Sequence, residues 1–312
     1  MNIMIFSDPH AKKDELQECE LVFNELVKIS DDYKIDLVIN AGDTYDFYNP
    51  GSESIDLFAN FVKKLNKRII IIAAKSHEST TPEDNILNHF GILNEMVTVV
   101  KEYIDPPNLF VGHFSIKESC KNYDAIKSKE DFRHFKHVVL GHVHHHDIIK
   151  PNVCHIGSCR WINFDEVRDK QKLVLIIQNY GETTEKCHFL ALKSPYKMKT
   201  VYLTTQDLKP QEGCLIAKSI EEIGAYLDSM PSLTKIKVKI QDFSLFKQYL
   251  TIEQEYQNKF IKYERENEFI TQIAKNNTEI STEKKNLKES LKKFLEERNT
   301  DPDVKKAIED TL

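Results

Sequence analysis

Asn2-Ile3-Met4-Ile5-Phe6-Ser7-Asp8-Pro9-His10 runs a short apolar stretch straight into an acid and an imidazole. A run of this length, stopped by a proline, reads as a strand over Asn2 to Ser7 buried on both faces. The same punctuation recurs downstream. An amphipathic pattern from about Lys13 to Ile29 predicts a helix, and Ile35 to Ala41 predicts a second strand that ends in Gly42-Asp43-Thr44-Tyr45-Asp46. Ser54 to Asn66 predicts a helix carrying Leu57, Phe58, Phe61, Val62 and Leu65. Arg68 to Ala74, with four consecutive isoleucines, predicts a third strand, and His77 and Glu78 follow it. This β-α-β-α-β order argues for an α/β layered fold. Further strands are expected at Val97 to Val100, Leu109 to Gly112, His137 to Gly141, Asp147 to Lys150, Val153 to Gly157 and Leu173 to Gln178. The later ones lack helices between them, so that half of the sheet is expected to be antiparallel or mixed.

A length of 312 residues suggests about two domains. With 40% of residues hydrophobic and 29% charged, a packed core is feasible and bulk disorder is excluded. The 43 basic and 49 acidic residues give a net charge of -6, which excludes a bulk-basic nucleic-acid binder but not a local basic groove. No apolar run reaches the roughly 18 residues of a membrane span. The first ten residues hold an acid and a proline where a signal peptide needs its apolar stretch, so an intracellular, cytoplasmic chain is expected. Cys19, Cys120, Cys154, Cys159, Cys187 and Cys214 form no C-x-x-C pair and are expected to be free thiols.

Eleven of the 12 histidines lie between His10 and His155, the last glycine is Gly224, and no proline falls between Pro231 and Pro302. A histidine-rich front is thus set against a tail without helix breakers. Three regions are expected: a first domain over residues 1–195, a small strand-helix-strand unit over 196–243, and a helical extension over 244–312. The small unit, built from Thr200 to Thr204, a helix near Ile220 to Met230, and Thr234 to Ile240, looks too small for a core of its own and is expected to act as a cap. From about Ser244 the tail reads as helical, with a heptad-like stripe of Phe246, Tyr249, Tyr256, Phe260, Tyr263, Ile270 and Ala274. A helix near Ser281 carries Leu287, Leu291, Phe294 and Leu295. Another opens at Asp301-Pro302, an acid and a proline suited to a helix start, and carries Val304, Ile308 and Leu312. This amphipathic pair is either a self-packed subdomain or a docking element for another protein.

The metal-capable residues fall at the C-terminal ends of the expected strands. Asp8 and His10 follow the first as D-x-H, Asp43 and Asp46 the second, His77 and Glu78 the third. His113 follows another as G-H, and His142 and His144 a further one as G-H-V-H. Strand ends of this kind are where open α/β sheets place their sites. Converging there, carboxylates and imidazoles could supply a two-metal cluster. Each motif alone is common; the ordered set is not. His145, His146, His89, His134, His137, His155 and His188 read as surface or structural residues, and Trp161 as a packing residue. Tyr45 and Tyr48 either touch substrate or pack.

The ordered set over about Met1 to Gly157 resembles the calcineurin-like metallophosphoesterase superfamily. With its small cap and terminal helix-loop-helix, the whole chain resembles the SbcD-type nuclease subunits of DNA repair complexes, including their phage versions. The resemblance implies a four-layer-like sandwich of mixed sheets with helices, a small αβ cap and a C-terminal helical extension. It implies a first metal on Asp8, His10 and His144, a second on His113 and His142, and Asp43 bridging both. The ions would be manganese, with magnesium as the alternative, and the substrate DNA. His77 would stand near the scissile phosphate as the catalytic residue, and Asp46 would support the site through hydrogen bonds. An SbcC-type coiled-coil ATPase would dock on the C-terminal helices, and the helix at Ser54 to Asn66 would allow a homodimer.

One departure stands out. The family motif G-N-H-[DE] is here Lys75-Ser76-His77-Glu78. Ser76 replaces an asparagine that ligates the second metal, and its hydroxyl is a shorter, poorer neutral ligand, so a weakened second site is expected. Lys75 replaces a glycine and is a candidate phosphate contact, with Lys12 and Lys13. Residues 1–180 carry 21 basic and 27 acidic groups, so the whole charge deficit sits in the expected catalytic part. Two divalent ions would reduce it to about -2. Two other functions fit the same motifs: a catalytically weakened scaffold that binds the ATPase, and a nucleotide or small-molecule phosphodiesterase.

Overall fold

The computed structural model describes residues 1–73, 86–93, 95–119, 125, 127–209 and 213–268. The chain divides into two compact units, Met1–Tyr196 and Lys197–Leu312. Lys75, Ser76, His77 and Glu78 lie outside the described residues, as do Ile270, Ala274 and the two expected helices beyond Ser281.

The first unit is a mixed α/β sandwich. The opening apolar run is strand β1 (Ile3–Phe6), flanked in parallel by β2 (Leu37–Asn40), β3 (Arg68–Ile72) and β4 (Val97–Val100). On its other side β10 (Leu173–Gln178) runs antiparallel to β1, and β11 (Lys186–Ala191) antiparallel to β10. The sheet therefore has six strands in the order β11-β10-β1-β2-β3-β4. The remaining strands form a second sheet instead of extending the first. They are β5 (Tyr103–Ile104), β6 (Leu109–His113), β7 (His137–Gly141), β8 (Asp147–Lys150) and β9 (Val153–His155), in the order β5-β6-β7-β9-β8.

The period of two assigns each strand residue to a layer. Ile3, Ile5, Ile39, Ile72, Leu175 and Ile177 face Leu109, Val111, Val139 and Ile156, so the two sheets share one apolar interior. Met4, Phe6, Val38, Ile69, Ile71, Val174 and Ile176 point the other way, onto helices α1 (Leu16–Asp32) and α2 (Ser52–Leu65). The helices meet them with Val22, Phe23, Leu26, Phe58, Phe61, Val62 and Leu65, where Phe23 and Phe61 stack at 4.6 Å. On the far face of the second sheet, Phe110, Val138, Leu140 and Val153 are covered by Ile116 and Phe132 from loops and a short 3-10 turn. Helix α3 (Asn88–Leu93) completes the unit beside β4.

The second unit has a four-stranded, wholly parallel sheet. Its strands are β12 (Met198–Leu203), β13 (Cys214–Ala217), β14 (Lys235–Ile240) and β15 (Lys262–Asn267), in the order β13-β12-β14-β15. Helices α4 (Ile220–Ser229) and α5 (Phe243–Gln257) pack on one face of it. Ser219 caps α4 by accepting from the Glu222 amide at 3.2 Å.

One expectation is corrected here. The tail is not helical throughout, because Lys-Tyr-Glu-Arg-Glu-Asn at 262–267 is a strand. Its charges alternate at period two and meet the lysine row of β14, with Lys237 2.9 Å from Glu266 and Lys239 3.4 Å from the same carboxylate. The strands expected in the small unit over 196–243 also share one compact unit with residues beyond 243. The stripe residues Phe246, Tyr249, Tyr256 and Phe260 turn inward onto Val201, Leu203, Ile236, Val238 and Ile240, giving it an interior of its own.

Candidate metal centre

Four strand ends bring the expected ligands together at the shared edge of the two sheets. The first sheet contributes Asp8 and His10 after β1 and Asp43 after β2. The second contributes His113, the last residue of β6, and His142 and His144 after β7. Two groups result, Asp8 with His10 and His144, and Asp43 with His113 and His142, each with its potential ligand atoms within 4.8 Å of one another. A single oxygen joins them: Asp43 Oδ2 lies 3.5 Å from His10 Nε2 and 3.3 Å from His113 Nε2.

The backbone reaches this arrangement by unusual turns. Asp8, His10, Asp43 and His142 all sit at positive φ, in the left-handed region that L-residues seldom enter. The two ligand loops run side by side, with the Asp8 amide donating to Gly42 O at 3.0 Å, His10 to Asp43 O at 3.0 Å, and Ala11 to Thr44 O at 2.8 Å. The His142 amide donates to Asp8 Oδ2 at 3.2 Å, which links the two sheets at the site.

The imidazoles are oriented from behind. His113 Nδ1 donates to the Ala41 carbonyl at 2.7 Å, His144 Nδ1 donates to Glu166 Oε1 at 2.8 Å, and His10 Nδ1 faces Asp46 Oδ1 at 3.2 Å. Each of these partners only accepts, so each ring keeps its proton on Nδ1 and aims Nε2 inward. His10 Nε2 and His144 Nε2 then stand 3.1 Å apart. At that distance either one ring carries a second proton that the other accepts, or a metal ion takes the proton's place between the two nitrogens. Among the described residues Asp8 Oδ1 is buried without a hydrogen bond, 3.8 Å from His10 Nε2 and 3.7 Å from His144 Nε2. Such donor spacing fits a shared divalent ion bound about 2.1 Å from each ligand. The residues present therefore fit two ions.

The charges agree. Burial opposes protonation of His10, but Asp46, Asp8 and Asp43 overcome it and raise its pKa to about 9. For His113, Asp43 and Asp8 outweigh burial and raise the pKa to about 10. Burial and the nearby His113 push His142 down instead. The carboxylates thus draw positive charge into the site, and a metal would displace those protons.

The sequence reading missed the support behind His144. Glu166, fully buried, also accepts from Lys172 Nζ at 2.6 Å and Ser158 Oγ at 3.0 Å. Lys172 reaches Asp169 at 2.6 Å, and Asp169 in turn holds His145 Nδ1 at 2.7 Å. Arg160, also fully buried, donates to the carbonyls of Pro9 and His10 at 2.6 Å each and to Glu18 at 3.0 Å, bracing the first ligand loop. None of these residues carries a periodic or motif signal. The nearest signal in the sequence is Trp161, whose ring lies 5.5 Å from Lys172 Nζ.

Other expected residues have ordinary places. His155 bonds Ser119 Oγ at 2.7 Å and the Gly141 carbonyl at 3.1 Å, and burial pushes its pKa down to about 4. Lys12 pairs with Asp46 at 3.7 Å and Glu15 at 3.6 Å, and Lys13 with Glu53 at 3.2 Å. Tyr45 is buried against Phe58, whereas Tyr48 is exposed. The five described cysteines are free. No helix among the described residues is long and apolar enough to cross a membrane.

A family model described as calcineurin-like phosphoesterase matches residues 1–74. The chain is 28% identical over 154 residues to the DNA double-strand break repair protein Mre11 of Thermoplasma acidophilum, which covers 45% of this chain and 40% of that protein. It thus spans less than half the length of that curated relative. Among solved structures, the hypothetical protein PH1004 from Pyrococcus horikoshii OT3 aligns with a TM-score of 0.38 at 10% identity, over 62% of this chain and 88% of that one. Residues 1–74 thus match the calcineurin-like phosphoesterases, and together with the weak likeness to Mre11 they support a metal-dependent phosphoesterase on a mixed α/β sandwich.

Proposed function

We propose that this chain is a DNA nuclease, the phosphodiester-cutting subunit of an SbcCD-type repair or recombination complex. The observation that carries the reading is the single carboxylate oxygen of Asp43, set between the two histidine groups at 3.5 and 3.3 Å. Asp8, His10 and His144 would hold one divalent ion, His113 and His142 the other, and Asp43 both. Manganese is the expected metal and magnesium the alternative. When bound, the pair would supply Lewis-acid stabilisation of the phosphate and an activated water for in-line attack. The chain itself does the rest. Asp46, Glu166 and the Ala41 carbonyl keep Nε2 of His10, His144 and His113 facing the reacting group, and Arg160 keeps the first loop from shifting. His77 is assigned the proton for the leaving oxygen, and Lys75 a phosphate contact. Ser76, in place of a ligating asparagine, makes the second ion the weaker one.

The name of the Thermoplasma relative, a double-strand break repair protein, supports DNA as substrate. A coiled-coil ATPase docked on the C-terminal helices would supply most of the phosphate contacts, since a chain of net charge -6 shows no strong basic stripe of its own. The complex would work in the cytoplasm, and α2 could pair two copies. Ser76 also favours a second reading, a weakened scaffold whose working part is the tail. The test is manganese-dependent cleavage of linear double-stranded DNA, alone and with the ATPase. We expect cleavage by the wild type and a loss of about 100-fold or more in Asp43→Ala. No cleavage under any condition, with tight ATPase binding, would overturn the nuclease in favour of the scaffold.

A further inference from the structure

Phe47 and Tyr48 are the two most exposed large apolar side chains among the described residues, at 63% and 69%. They are consecutive, and they directly follow Asp46, whose carboxylate faces His10 Nδ1 at 3.2 Å. Single exposed apolar residues need no explanation; an adjacent aromatic pair at the edge of a candidate active site does.

The loop does not need them for its own structure. Its anchor is Tyr45, fully buried with its ring 5.9 Å from Phe58 and its backbone bridged to Ala11. Thr44 adds a hydrogen bond from Asn40 Nδ2 at 2.8 Å. Among the described residues, neither Phe47 nor Tyr48 makes an aromatic contact or a side-chain hydrogen bond. What they offer is two flat faces to something outside.

The neighbouring chemistry selects that something. A phosphodiester at the metal site carries a base on each side, and every base has a face that stacks on an aromatic ring. The usual alternative, cationic contact to phosphates, is scarce here: Lys12 and Lys13 are both engaged by acids, and residues 1–180 are net acidic. Resting on the nuclease reading above, we propose that Phe47 and Tyr48 form a stacking platform for the bases next to the scissile phosphate. The platform positions an unpaired nucleotide, because an intact duplex hides its base faces except at its ends. Affinity of this kind is tolerant of sequence and falls little with salt, unlike binding through lysine and arginine.

The test uses the full chain and two oligonucleotides of equal length, oligothymidylate and an abasic strand with the same phosphates. Anisotropy in EDTA gives binding without cleavage. The wild type is expected to prefer the strand with bases by about tenfold, at 50 mM and at about 200 mM salt alike. Phe47→Ala/Tyr48→Ala should abolish the preference and Phe47→Trp/Tyr48→Trp should restore it. With manganese, the alanine pair should raise KM for oligothymidylate about tenfold and leave kcat within twofold. Equal binding of the two strands by the wild type, or a preference unchanged in the alanine pair, would overturn the platform. A base preference lost in the alanine pair, with no cleavage by the wild type in manganese either alone or with the ATPase, would keep the platform and overturn the nuclease.

Discussion

Gly141 is glycine because there is no room for anything else. A Cβ there would lie 2.3 Å from Ser7 Oγ, 2.5 Å from the Ala41 carbonyl and 2.7 Å from His113 Nδ1. Gly42, at φ +113°, would put a Cβ 2.2 Å from the same nitrogen. The two ligand-bearing sheets meet so closely that not even a methyl group fits between them at these positions. Gly141→Ala should therefore destabilise the protein by about 1–3 kcal/mol and displace His113, weakening uptake of the second ion. Thermal unfolding and manganese titration read both, and an unchanged melting temperature with unchanged uptake would refute the account. Glu166 separates charge from packing. Glu166→Ala leaves the buried Lys172 short of a partner and should cost about 3–5 kcal/mol. Glu166→Gln keeps the shape but loses the anionic acceptor behind His144, and should lower metal affinity at that group about 10- to 100-fold. Equal metal affinity in the glutamine variant would show that the carboxylate does not tune the ligand.

Strand β11 is tied to β7 by one carboxylate. Glu185, just before β11, accepts from His137 Nε2 at 2.7 Å and from the Gly181 amide at 2.8 Å, and pairs with Lys136 at 2.6 Å. Burial opposes its charge, but these partners prevail and lower its pKa to about 2. A depressed acid stabilises the fold above its unfolded value of about 4.5 and loses that contribution as pH falls toward 2. Glu185→Gln should thus be less stable than the wild type at pH 7 and lose less stability between pH 5 and 3. Parallel pH profiles of the two proteins would refute the clamp. The clamp was invisible in the sequence because its partners lie 48 residues apart and share no motif. The elements built on local pattern were readable: β1, β2 and β3 are apolar runs, and α1 and α2 carry one apolar stripe each. The ligand motifs were readable for the same reason, since each is a few residues fixed to a strand end. What failed was non-local. That β6 to β9 form a separate sheet follows from which faces can be covered, and 262–267 reads as helix until the lysines of β14 are placed beside it. Glu166, Arg160 and Lys172 are ordinary surface types in a sequence, and only tertiary burial gives them a role.

Among the described residues the second unit has a core of its own, built wholly from residues after Tyr196. A fragment of residues 197–312 should fold alone, with helix and strand signals in circular dichroism and a cooperative though low thermal transition, as suits so small a core. A fragment without a transition would show that this core depends on the first unit. Charge divides the molecule in another way. The acidity of the front includes Asp8, Asp43 and Asp46 at the candidate metal groups, so two divalent ions bound there would offset part of the net charge of -6. Titration with manganese, followed by paramagnetic resonance at each step, decides the matter. Two ions per chain are expected, the second weaker than the first, with exchange coupling between them that disappears in Asp43→Ala. A chain that takes up one ion or none, or two uncoupled ions that Asp43→Ala leaves in place, would refute the bridged pair on which the proposed function rests.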